Sequence, residues 1–133
     1  MSKVILRGDS NCGVESDSWQ SEDPTAEQLE DRLLRLDQGR FTILTIAHEA
    51  SEAHLAVGGG SGQFVVYMTA DNQRFWNLVD PTASEARTML TAGGQQGDYP
   101  ARTVVDATTA LAAAEHYRRT SVRNPELSWE EQE

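Results

Sequence analysis

The chain has 133 residues, enough for one domain with a real core, and its 21 acidic against 11 basic residues give a formal charge of -10. That field repels nucleic-acid phosphates and anionic lipid, so neither is expected as a direct partner, whereas a cationic protein suits it. The lone cysteine, Cys12, excludes an intrachain disulfide or thiolate metal site. A reducing, cytoplasmic setting follows, since no run approaches the ~18 apolar residues of a membrane span and the opening Met1–Arg7 is too short a stretch for a secretory leader.

Apolar residues are only 38% of the chain, but they are bunched into periodic runs. Val4-Ile5-Leu6 reads as a short strand, and Gly8 through Ser21, rich in Gly, Asn, Ser and Asp, as a loop. Asp23 is placed to cap a helix, with Pro24 at its first position and Glu27 in the first turn. Leu29, Leu33 and Leu36 give that helix one apolar stripe, and Gly39 supplies a stop.

From Phe41 to Ala47 the pattern turns strand-like and apolar on both faces, as in a central strand. His54 to Val57 pairs with it, Gly58 to Gly62 turns the chain, and Gln63 to Thr69 forms another strand. Asp71-Asn72 leads into Arg74 to Val79, which stops at Asp80-Pro81. Thr88 to Ala92 is a weaker strand, Gln95 to Pro100 reads as a polar loop, and Asp106 caps a second helix. Leu111, Ala114 and Tyr117, with Ala110 and Ala113, give that helix a small-residue stripe suited to lying on a sheet. The predicted fold is α+β: an antiparallel meander of about five to six strands with two principal helices packed on it. A single domain spans 1–133, with a strand plus loop over 1–22 and an acidic tail over 120–133 anchored by Leu127 and Trp129.

No catalytic or metal constellation stands out. His48 and His54 are six apart, whereas a helical zinc pair needs a spacing of four, and Gly58–Gly62 has no Lys-Ser/Thr or helix after it to hold a phosphate. His48, His54, His116 and Cys12 fall on separate elements. No cofactor, metal or enzymatic activity is expected.

Phe75-Trp76-Asn77-Leu78-Val79-Asp80-Pro81, then Gly93-Gly94-Gln95-Gln96-Gly97-Asp98-Tyr99-Pro100-Ala101-Arg102 and Val104-Val105-Asp106, resembles the Imm1 family of immunity proteins. Gly62 to Tyr67 and Asn124 to Glu130 are similar to the same pattern as it occurs in actinobacteria. The resemblance implies an antidote in a bacterial polymorphic toxin system. Its partner would be a cognate toxin domain, often of the cytidine-deaminase fold and active on nucleic acid, blocked by direct binding. Partner contacts are expected from carboxylates and aromatics at one end of the sheet: Glu49 and Glu52, Asp71, and Asp98 and Tyr99. Trp76 and Trp129 are further candidates, as Trp and Tyr are enriched among hot spots. Two other readings stand beside this one: a small-molecule-binding module, and a structural partner in a secretion assembly.

Overall fold

The computed structural model describes residues 3–132 apart from 13, 50 and 83–86, so Gly13 of the Gly8–Ser21 stretch and Ala50 of the His48–His54 stretch lie outside the described residues. In chain order the elements are β1 (Val4–Cys12), β2 (Glu15–Glu22), α1 (Ala26–Leu34), β3 (Ile43–His48), β4 (His54–Gly60), β5 (Gln63–Thr69), β6 (Phe75–Val79), β7 (Arg87–Ala92), β8 (Gln95–Pro100), α2 (Ala107–Thr120) and β9 (Ser128–Glu131). One 3-10 turn, Ala101–Thr103, joins β8 to α2. Seven strands form an antiparallel sheet in the order β2-β1-β3-β4-β5-β6-β9, and β7 and β8 make a separate two-stranded ribbon.

Both helices cover one face of the sheet. Strand alternation sends Leu6, Leu44, Ile46, Leu55, Val57, Phe64, Val66, Met68 and Leu78 to that face, where they meet Leu29 and Leu33 of α1 and Ala110, Ala113, Ala114 and Tyr117 of α2. Each fully buried Leu contributes roughly 1.5–3 kcal/mol of transfer free energy, and the alanines let α2 approach closely. Arg118 ties the helices' surroundings together, bridging to Glu115 at 2.6 Å and donating to the Pro24 carbonyl at 3.3 Å.

Several expectations change in the folded chain. Gly8–Ser21 is an extended arm rather than a loop: β1 runs to Cys12 and returns as β2. Gly8 belongs there because the Trp19 ring lies over it, and a Cβ would sit 2.5 Å from that ring. The cap of α1 is Thr25, whose hydroxyl accepts from the Gln28 N–H at 3.2 Å while the Gln28 side chain accepts from the Thr25 N–H at 3.0 Å. This reciprocal box satisfies two orphan donors, and Asp23 instead accepts from the Val4 N–H at 3.0 Å. The helix stops at Leu34, ahead of Gly39, and Gln38 takes the left-handed conformation at φ 63°. Leu36 stays buried beyond the helix end.

The glycine run is mostly strand. Gly58, Gly59 and Gly60 pair with Val65, Phe64 and Gln63, leaving Ser61-Gly62 as a two-residue turn with φ of 55° and 87°. A Cβ on Gly58 would lie 2.6 Å from the Ala92 Cβ, so the bare backbone admits the ribbon. Gln95–Pro100 is not a loop but β8, folded onto β7 by Gly93-Gly94 at φ of 63° and 78°. The acidic tail closes as β9, pairing with β6 from Trp76↔Glu131 to Val79↔Ser128. The α+β antiparallel class holds, with β2 of the arm, β8 and the tail strand β9 accounting for the additional strands.

Candidate partner-binding surface

The carboxylates divide by what satisfies them. Asp71 accepts from the Gln73 and Arg74 N–H groups, each at 2.9 Å, and the Arg74 bond foremost holds its pKa below the usual carboxylate value. Asp106 caps α2 through the Thr109 N–H at 2.8 Å. Both charges serve the backbone where they stand. Asp98 pairs with Arg87 across the outer side of the ribbon at 2.8 Å. By contrast, Glu15, Asp17, Glu27, Glu30, Glu49, Glu52 and Glu126 have no ion-pair partner among the described residues.

Four of these unpaired carboxylates gather around β2. Glu15 and Asp17 lie on the strand itself. On the helix side, a groove of about 430 Å³ between β2 and α1 is lined by Ser21, Glu27, Asp31 and Arg32. On the opposite side, a shallow cleft of about 230 Å³ brings Glu22 and Glu49 together beside Arg7 and Gln20. Of the nearby cations, Lys3 pairs with Glu22 at 3.1 Å and Arg35 with Asp31 at 2.9 Å, while Arg7 donates to the Gln20 amide at 2.9 Å and Arg32 is stacked 4.0 Å over Trp19. Trp19 in turn donates to the Asp9 carbonyl at 3.1 Å. The sequence missed this margin because a strand that is polar at nearly every position has no hydrophobic period to betray it.

A second surface is apolar. On the sheet face away from the helices, the ribbon covers only part of the strands and leaves a cleft of about 350 Å³. Ala56, Gly58 and Val65 form its floor, with Tyr67 and Tyr99 among its walls. Tyr67 is held by the His54 ring nitrogen at 3.1 Å and an edge contact to Phe75, and burial raises its pKa. The ribbon is pinned at its turn: the Gly94 N–H donates to Thr42 Oγ1 at 2.9 Å, and the Thr91 N–H donates to Gln38 Oε1 at 3.0 Å. Thr42 in turn donates to Asp9, which also accepts from the Thr42 and Ile43 N–H groups. Burial pushes the Asp9 pKa up, but these bonds and one from Asn11 together hold it below the usual value.

The sequence candidates therefore fall into separate places. Glu49 and Glu52 lie in the β3–β4 connection and Asp71 in the β5–β6 turn, so these three share one end of the sheet. Asp98 and Tyr99 do not join them; Tyr99 lines the apolar cleft while Asp98 faces the other way on β8. Trp76 and Trp129 pack half-buried against the helix-side core, Trp76 beneath Arg123 at 3.8 Å and Trp129 donating to the Asn124 carbonyl at 3.0 Å. His48 bonds Ser121 while His54 bonds Tyr67, so the two histidines diverge. Among the described residues no three His, Cys, Asp or Glu side chains converge as metal ligands.

An acidic α+β body with two open surfaces is a class of protein fitted to bind another molecule. Residues 19–131 match the family described as Immunity protein Imm1, and the chain belongs to that family, whose name assigns it an immunity role. Comparison with curated proteins gives no match. Among solved structures, a hypothetical protein from Neisseria gonorrhoeae is similar in fold, with a TM-score of 0.62, 9% identity, and coverage of 94% of this chain and 92% of that chain. No helix among the described residues is long and apolar enough to cross a membrane.

Proposed function

We propose that this immunity protein works in the cytoplasm as a stoichiometric inhibitor that covers the working surface of a cognate toxin. The observation that carries the reading is the set of carboxylates around β2, Glu15, Asp17, Glu27 and Glu49, that make no ion pair among the described residues. An enzyme acting on nucleic acid needs a cationic groove for its substrate, and such a groove is the natural counterpart of this margin. A deaminase of the cytidine-deaminase fold is the toxin class that the family resemblance suggests, and such an enzyme must hold a polyanion while drawing one base into its pocket. Inhibition of this kind asks for no chemistry from the inhibitor. It needs an interface of about 800 Å² on each partner with a few well-placed anchors. Glu49 and Glu52 are the sequence candidates best placed to contribute.

The test is co-expression with the C-terminal domain of the product of the adjoining gene. Restored growth and a complex that co-purifies at one-to-one stoichiometry are expected. Continued killing together with separate elution would refute the proposal. A second reading, a small-molecule module, draws on the 350 Å³ apolar cleft, which is within the roughly 300–1,000 Å³ range of ligand pockets. A metabolite that raises the melting temperature of the wild type but not of Tyr99→Ala would favour it.

A further inference from the structure

β2 closes one side of the seven-stranded sheet, with β1 as its only neighbour among the described residues. Its register is unbroken from Cys12↔Glu15 to Ile5↔Glu22. In an antiparallel ladder, alternate residues exchange both backbone bonds with the facing strand. The Asp23 N–H donates to the Val4 carbonyl, so Ser21, Trp19, Asp17 and Glu15 are the residues bonded to β1. The Glu49 N–H donates to the Lys3 carbonyl, which gives the alternate β1 residues to β3 and agrees with this phase. The N–H and C=O groups of Ser16, Ser18, Gln20 and Glu22 therefore point outward, where no strand among the described residues meets them.

Proteins guard such edges by shortness, proline, bulges or charge. The opposite edge, β9, has four residues, with Glu130 tied to Arg102 and Glu131 to Arg74. β2 has eight residues without proline, lysine or bulge, and its only guards are Glu15, Asp17 and Glu22. Those guards act selectively. If two copies paired β2 with β2 in full overlap, Glu15 of each would stand against Glu22 of the other, and like charges directly opposite are destabilising. A strand carrying Lys or Arg meets an excess of acid: Glu15, Asp17 and Glu27, with Arg32 among them, on one side, and Glu22 and Glu49, with Lys3 and Arg7 beside them, on the other.

We infer that β2 is the docking edge, and that an extended, basic segment of the toxin adds to it as an eighth strand. Main-chain bonds supply affinity in this mode and alternate side chains supply specificity. The inference rests on the immunity reading and assigns it a location. Ser18→Pro tests it, because proline removes one outward N–H and sets its ring where the incoming strand must lie, while the inward bonds use Asp17 and Trp19.

The measurement is calorimetric titration with the same toxin domain, inactivated by mutation. The expected result is at least about a tenfold loss of affinity for Ser18→Pro, equivalent to ~1.4 kcal/mol, with an unchanged melting temperature. In the wild-type complex the amides of Ser16, Ser18, Gln20 and Glu22 should gain protection from hydrogen exchange. If proline disturbs the arm, the double change Glu15→Lys and Asp17→Lys leaves the ladder intact and should slow association at low salt. Undiminished binding by folded Ser18→Pro, or no protection at those four amides, overturns the docking edge and leaves the immunity reading standing. A wild-type dimer abolished by Ser18→Pro also overturns it, by giving the edge to a second copy. Wild-type protein that ignores the toxin removes the immunity reading, and this inference with it.

Discussion

The two faces of the sheet are made by the same strands, yet they are finished differently. On the helix side Leu44, Ile46, Leu55 and Val57 are sealed to 1% exposure or less by α1 and α2. On the other side Ile43, Ala56, Gly58 and Val65 alternate with them, and a narrow ribbon covers only part of that face. A helix pair brings rows of large side chains that interdigitate and exclude voids. A ribbon can lie flat only where the sheet below it is small, as at Gly58 under Ala92. The first face therefore carries the larger apolar core, and the second combines a smaller apolar contact, with Leu90 of the ribbon buried, and the polar tethers at its turn.

This contrast can be broken most forcefully by Leu55→Ala on the sealed face, which should cost about 2–5 kcal/mol and be read from urea denaturation. A loss as small as that of a surface change would mean the helix face is not the principal core. Gly58→Val on the other face should cost roughly 1–3 kcal/mol by lifting the ribbon, with amide exchange rising along β7 and β8 while α2 stays protected. Uniform loosening would erase the distinction between the faces.

Smaller effects sharpen it. Tyr117 is buried with a hydroxyl that finds no hydrogen-bond partner among the described residues. Tyr117→Phe should therefore be neutral or raise stability by about 1 kcal/mol, whereas a loss on melting would reveal a partner. On the tethered side, the bonds to Thr42, Asn11 and Ile43 hold folded Asp9 below its unfolded pKa. The sign is that of a depressed acid: its stabilisation is complete above about pH 4 and is lost as the pH falls through the folded value. Asp9→Asn should flatten the acid limb of the stability curve. An identical limb would show that Asp9 is not the group responsible. Asp98→Lys is expected to change stability least, since exposed pairs such as Arg87–Asp98 contribute about 0–1 kcal/mol.

Legibility in the sequence followed the hydrophobic period. Leu29 and Leu33, the β3 run, the β5 run and the alanine stripe of α2 are all readable, because burial leaves a repeating mark on the residues, and Asp106 is readable by its capping chemistry. Glu15–Glu22 and Gln95–Pro100 carry no such mark. Their strands are fixed by a neighbouring strand and a two-glycine turn, with solvent on one side, so polar residues serve as well as apolar ones. The candidate site suffered most from this. The sequence expects Asp98 and Tyr99 on a loop at the sheet end with Glu49, Glu52 and Asp71, whereas both lie on β8, Tyr99 lining the apolar cleft and Asp98 facing away from it.

The sequence by itself determined the antiparallel α+β class, the acidic balance and the family blocks around Asn77 and Tyr99, since composition and period survive without coordinates. Tertiary structure alone decided which carboxylates remain unneutralised and which backbone remains unpaired. Both depend on contacts between distant segments, such as Lys3 with Glu22 or β1 with β2, whose partners are set only when the chain is folded.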